Sequence, residues 1–203
     1  MYLKFFKRPL DLLISVPALI LVSPVLVAAA LAVLIVMGRP ILFRQQRAGR
    51  DGKVFWIPKF RTMREGVDAA GRPLPDHLRM TGLGRLLRKF SLDELPQLWS
   101  VILGHMSLIG PRPLLASYLP RYSAEQARRH EVRPGITGWA QINGRNAIDW
   151  ETKFELDVWY VDHVTLALDL RIILGTMQKL WQTRDTQRSQ NEAMPEFLGN
   201  INK

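Results

Sequence analysis

No cysteine occurs anywhere in the chain. That excludes a disulfide framework, thiolate metal sites and a cysteine nucleophile, and it suits a reducing compartment such as the cytoplasm. Acidic residues are scarce beside basic ones, with 18 Asp and Glu against 28 Lys and Arg. The net charge of +10 favours partners built of phosphate: nucleic acid, anionic lipid or nucleotide. Internal repeats are missing too, so a solenoid is excluded and 203 residues suit one domain with an appended tail. Aromatics interleaved with basic residues and recognisable nucleic-acid folds are both absent. This argues for no nucleic-acid partner and against a non-enzymatic, membrane-tethered basic nucleic-acid-binding protein, the rival class that the charge permits. Finally, there is one long apolar run and no second, which excludes a multi-spanning protein.

That run extends from Leu12 to Met37 without a charged residue. As a straight helix it would reach roughly 39 Å at 1.5 Å per residue, enough to cross a bilayer. A cleaved secretory signal fits poorly, because the run is too long and Gly38-Arg39-Pro40 is a poor cleavage site. A plain transmembrane anchor is the second alternative. Against it stands Ser23-Pro24, where proline lacks a backbone donor and pushes its predecessor out of helix geometry; Pro17 is another weak point. Lys4, Lys7 and Arg8 precede the run, and Arg39, Arg44, Arg47 and Arg50 follow it, so the positive-inside rule assigns both ends to the cytoplasmic face. The preferred reading over residues 1–40 is a re-entrant helix-break-helix hairpin that enters one leaflet, breaks at Ser23-Pro24 and returns.

Residues 41–182 read as a catalytic domain at the cytoplasmic face, mainly α within an α+β class, and residues 183–203 as a loosely held polar tail. Residues 42–46 and 53–60 predict a β-hairpin around Arg50-Asp51-Gly52. Leu83, Leu86, Leu87 and Phe90 recur at helical spacing beside Arg85, Arg88 and Lys89. This amphipathic helix suits lipid headgroups and a protein core equally. Trp150, Phe154, Val158 and Val161 make a second stripe. After Asp169 as N-cap, Leu170, Ile173, Leu174, Met177, Leu180 and Trp181 make a third; both stripes read as core. Gly- and Pro-rich loops at 107–113 and 133–145 carry arginines at high density.

Ser91-Leu92-Asp93-Glu94-Leu95-Pro96-Gln97 sets two adjacent carboxylates at an expected helix start. Ser91 and Glu94 have capping-box spacing, and proline belongs near a first turn. A helix cap is therefore the bland reading. The functional one comes from Lys59, Arg112, Arg133 and Arg145, which recur beside Pro or Gly, where guanidinium forks and backbone N–H groups can hold phosphate oxygens. Carboxylates among arginines point to phosphoryl chemistry.

Four segments in this order, Lys59-Phe60-Arg61-Thr62-Met63, Ser91 to Gln97, Ser107-Leu108-Ile109-Gly110-Pro111-Arg112-Pro113 and Arg133-Pro134-Gly135-Ile136-Thr137-Gly138, resemble the small monotopic polyprenyl-phosphate phosphoglycosyl transferases of the bacterial sugar transferase family. The resemblance runs from Lys7-Arg8 to Asp169-Leu170 and spares the tail. Pro9, Pro17 and Trp56-Ile57-Pro58 before Lys59 depart from the usual pattern. The resemblance implies a re-entrant helix, a bacterial inner-membrane protein seated in one leaflet of the bilayer, interfacial amphipathic helices, a magnesium ion and an Asp-Glu dyad. It further implies transfer of a sugar 1-phosphate from a UDP-sugar to undecaprenyl or another polyprenyl phosphate, the first membrane step of glycoconjugate assembly. Asp93 would be the nucleophile that carries an aspartyl phosphosugar, and Glu94 would bind Mg2+. Arg112, with Pro113, and Arg145 would clamp phosphates; Lys59, Arg88 and Arg133 are weaker candidates for the same task. The sequence leaves a homodimer open.

Overall fold

The computed structural model describes residues 1–68, 70–72, 74–144, 148–183 and 196–199. Helix α1 (Lys7–Met37) leads into the antiparallel pair β1 (Leu42–Ala48) and β2 (Val54–Phe60). There follow α2 (Asp76–Arg79), α3 (Gly82–Lys89), a 3-10 turn at Leu92–Glu94, α4 (Gln97–Ile102), β3 (Ser107–Ile109), α5 (Ala124–Ala127), β4 (Gly135–Thr137), α6 (Trp139–Asn143), α7 (Trp150–Asp162) and α8 (Leu166–Thr183). The expected hairpin is present, with Leu42 opposite Phe60 and Ala48 opposite Val54. Asp51 adopts a left-handed conformation in its turn, which Asp tolerates. The mainly helical α+β class holds, with β3 and β4 adding a short parallel pair.

Helix α1 runs through Ser23-Pro24 without the break that the prolines predict. The missing Pro24 donor would have served the Ile20 carbonyl, and the Ser23 hydroxyl donates to that same carbonyl at 2.7 Å. A side-chain donor therefore replaces the lost backbone bond, a known route to proline tolerance in apolar helices. Both ends of α1 are tied to one body. At the N-terminal end Arg8 donates to the carbonyls of Val101 and Ile102, and Asp11 accepts from Ser107 and the Leu108 N–H. At the C-terminal end Ala29 and Val33 pack on Phe60 and Leu87. There Arg64 and Arg61 donate to the Val36 and Met37 carbonyls, groups with no partner inside the helix, and Arg61 also to the Arg39 carbonyl just beyond it. Between the two ends, Ile20 and Leu21 are 68% and 81% exposed.

The core forms around these anchors. Phe55 and Ile57 of β2 pack on Val101 and Met106, while Ile109, Val132, Tyr160, Leu168 and Ile172 make the largest cluster. Helix α3 is divided: Leu83 and Leu87 face α1, whereas Leu86 and Phe90 are exposed. The α7 stripe is core through Phe154 and Val158. The α8 stripe is core only in part. Ile173 packs beside the buried Leu168 and Ile172, whereas Leu166, Leu170, Leu174 and Met177 form an exposed apolar row, and the side chains of Leu180 and Trp181 lie outside the described residues. Asp169 does not cap α8 either, since Thr165 bonds the Leu168 N–H, and the Asp169 carboxylate pairs with Lys7 at 2.6 Å. Of the tail, residues 196–199 are described and are docked. Phe197 is 5% exposed among Tyr118, Tyr122, Trp150 and Phe154, so the reading of a loosely held tail fails there.

Candidate active site

Two close approaches and one strand alternation build the site. Gly84 sits where a Cβ would lie 1.9 Å from the Thr62 carbonyl oxygen. Only glycine lets α3 come this near the strand end and set Arg88, whose Nε donates to the Thr62 hydroxyl at 3.1 Å. Gly110 and Gly135 meet backbone to backbone, where a Cβ on either would strike the other's chain. These motif glycines serve packing and bring Arg112 alongside the dyad. Along β2, alternation places Lys59 on the face of Phe55 and Ile57, pointing it inward at the strand end.

Ser91 takes a left-handed conformation (φ 54°) that ends α3 and leads into the Leu92–Glu94 turn. Its side chain caps nothing, so the capping-box reading is corrected: Glu94 bonds cations and not the Ser91 N–H. Glu94 Oε1 accepts from Lys59 Nζ at 2.6 Å and from Arg112 Nη2 at 3.0 Å. Among the described residues neither cation takes Oε2. Asp93 is 9% exposed and accepts no hydrogen bond from a described side chain. Burial, then the Glu94 charge, pushes its pKa above the ordinary carboxylate value, against the pull of Lys59 and Arg88. Burial also pushes Glu94 upward, but Arg112 and Lys59 outweigh it and hold the group at about 2. Two adjacent carboxyls are thus driven apart, one a fixed anion in an ion pair and the other a more basic carboxyl that no described side chain bonds.

Lys59, Arg88 and Arg112 are therefore brought to Asp93 and Glu94. Pro113 lies beside Arg112, and its carbonyl accepts from Arg47 at 3.2 Å. Arg133 is not brought to the dyad. It donates to the Gly104 carbonyl at 2.9 Å, and its charged neighbours are Arg8, Arg50, Asp11 and Asp51. Arg145 lies outside the described residues. Sequence reading missed Arg47 and Arg129, both of which bond the Arg112–Pro113 backbone. Neither stands in a motif, and no local signal marks them. Among the described residues no three metal-ligating side chains cluster. A magnesium ion would find here the carboxylates of Asp93 and Glu94 and would have to bring phosphate and water oxygens of its own.

With this geometry in hand, the family model described as bacterial sugar transferase matches residues 2–183. The chain belongs to the bacterial sugar transferase family. It is 50% identical over 193 residues to the uncharacterized sugar transferase EpsL of Bacillus subtilis (strain 168), covering 95% of this chain and 96% of that one. Identity is 42% over 184 residues with a UDP-glucose:undecaprenyl-phosphate glucose-1-phosphate transferase of Klebsiella pneumoniae. It is 36% over 184 residues with a UDP-N-acetylgalactosamine-undecaprenyl-phosphate N-acetylgalactosaminephosphotransferase of Aeromonas hydrophila. These matches cover 86% and 87% of this chain but 40% and 44% of those proteins, so the chain spans about two-fifths of their length.

Proposed function

We propose that the chain transfers a sugar 1-phosphate from a UDP-sugar to undecaprenyl or a related polyprenyl phosphate, with Asp93 as the covalent nucleophile. One observation carries this reading: an unpaired, nearly buried Asp93 of raised pKa stands beside Lys59, Arg88 and the Arg112–Glu94 pair. The activities named for the relatives support the substrate classes. They lend nothing to the nucleic-acid alternative.

In the first step an Asp93 carboxylate oxygen attacks the phosphorus that bears the sugar. A new P–O bond forms, the P–O bond to the uridine-linked phosphate breaks, and UMP leaves with the electron pair. In the second step a phosphate oxygen of the acceptor attacks the same phosphorus. Asp93 leaves as carboxylate, and a polyprenyl-diphosphate sugar results. Lys59, Arg88 and Arg112 counter the like charge of carboxylate and pyrophosphate. Glu94 would hold Mg2+, which when bound neutralises phosphate charge. Arg145, which falls outside the described residues, remains a proposed second phosphate clamp.

The membrane seat belongs to the same proposal. Among the described residues one helix, spanning Tyr2–Met37, is long and apolar enough to cross a bilayer. Both of its ends are seated on the catalytic body and its middle is exposed. This supports a seat in one leaflet entered from the cytoplasmic face of the bacterial inner membrane, with re-entry made by a bend of the unbroken α1 at Ser23-Pro24 and not by a helix-break-helix turn. The exposed rows of α8 and α3 suit the headgroup region. The purified protein, given a panel of UDP-sugars with undecaprenyl phosphate, is expected to release UMP with at least one sugar. Absence of UMP across the panel contradicts the assignment.

A further inference from the structure

Pro111 and Pro113 lack N–H groups and have fixed φ, so at these two residues the backbone can be held only through its carbonyls. Every carbonyl from 111 to 114 is taken. Pro111 accepts from the Gly135 N–H at 2.9 Å and Leu114 from the Ala48 N–H at 3.0 Å. Between them, Arg112 accepts from Arg129 Nη2 at 2.8 Å and Pro113 from Arg47 Nη1 at 3.2 Å. The outer pair are backbone contacts. The inner pair are side chains that arrive from sequence separations of 17 and 66, and they hold the carbonyls of the residue whose guanidinium pairs with Glu94 and of the proline after it.

Burying guanidinium groups to bond carbonyls is costly when a neutral donor would serve. Arg129 and Asp157 are each 2% exposed, joined by bonds of 3.1 and 2.7 Å from Nε and Nη2 to Oδ2. Arg47 is held by Gln45, with burial and then the like charge of Arg112 keeping its pKa below the ordinary arginine value. Arg47 adds positive charge behind Arg112, whereas Arg129, balanced by Asp157, acts through its bonds. We infer that Arg47 and Arg129 are positioning residues, which fix the Arg112–Pro113 backbone and thereby aim the Arg112 guanidinium. This rests on the phosphate role proposed for Arg112.

The test is a double-mutant cycle in kcat/KM for UMP release, measured on folded, membrane-inserted protein. Arg47→Gln keeps a donor and removes the charge. Arg129→Met is paired with Asp157→Leu so that no buried charge is left alone. Each is expected to lower kcat/KM at least tenfold alone, and to cost less than twofold more when added to Arg112→Ala. Arg47→Lys should recover part of the loss. Losses that multiply with that of Arg112→Ala, or wild-type rates in Arg47→Gln and in Arg129→Met/Asp157→Leu, overturn the positioning role. Full activity in Arg112→Ala instead overturns the phosphate assignment beneath it, so the two failures are told apart.

Discussion

Two buried carboxylates in this body have opposite surroundings. Asp169 accepts from Lys7 Nζ at 2.6 Å, Tyr2 Oη at 2.7 Å and Tyr160 Oη at 2.8 Å. It fastens the start of α1 to the start of α8. Asp93, about equally secluded, accepts nothing from a described side chain and stands in a ring of cations whose contacts go mostly to its neighbour Glu94. A satisfied buried charge is a fastening. One that no side chain bonds, its pKa displaced by burial, costs stability and is retained where chemistry needs it. Comparing the two separates structure from reactivity more sharply than either does alone.

Exchanging each acid for its amide should give mirror-image results. Asp93→Asn is expected to lower turnover at least about a thousandfold, on the scale of losing a covalent nucleophile. Its thermal midpoint should hold or rise. A carboxyl whose pKa is raised by folding adds stability below its unfolded pKa, and that stability is lost as pH rises through the folded value, so the amide removes a neutral-pH burden. Asp169→Asn leaves Lys7 buried without a counter-ion. It should cost about 3–5 kcal/mol in denaturant unfolding while activity per folded molecule stays within a few-fold. An Asp169→Asn protein that is stable but inactive would erase the distinction.

Arg112→Ala should lower turnover about a hundredfold, with Arg112→Lys recovering only part because an ammonium lacks the fork. Glu94→Gln should act differently from Asp93→Asn, with excess magnesium restoring some activity in the former and none in the latter. The smallest effect concerns His130, which is buried against Gly49 and held by burial and by the Arg129 charge at about 4, down from 6.5. A depressed pKa gives stability that is present above the unfolded value and lost as pH falls through the folded one. Unfolding free energy should therefore fall between pH 6.5 and 4, and His130→Gln should flatten that slope.

Much of this was legible in the residues, and the exceptions have physical causes. The β1–β2 hairpin followed from its turn, and the ordered motifs led to the dyad and to two of its cations, Lys59 and Arg112, with Arg88 a weaker candidate outside them. The α8 stripe was misjudged because periodicity reports an apolar face without saying whether protein or lipid covers it; Leu170, Leu174 and Met177 are exposed while Leu168 and Ile172 are core. Ser91 and Asp169 match capping patterns, yet tertiary contacts outbid the local ones. The proline break failed through one hydroxyl, that of Ser23. Arg47 and Arg129 act on carbonyls far along the chain, which no local pattern reports.

The central claim is that Asp93 carries the sugar phosphate. Enzyme mixed with UDP-sugar and no acceptor, quenched on the millisecond scale and digested for mass spectrometry, tests it directly. The account predicts a burst of about one UMP per active site and a phosphosugar adduct on the peptide containing Asp93. No burst, an unmodified Asp93 and UMP release only when polyprenyl phosphate is also present would contradict it.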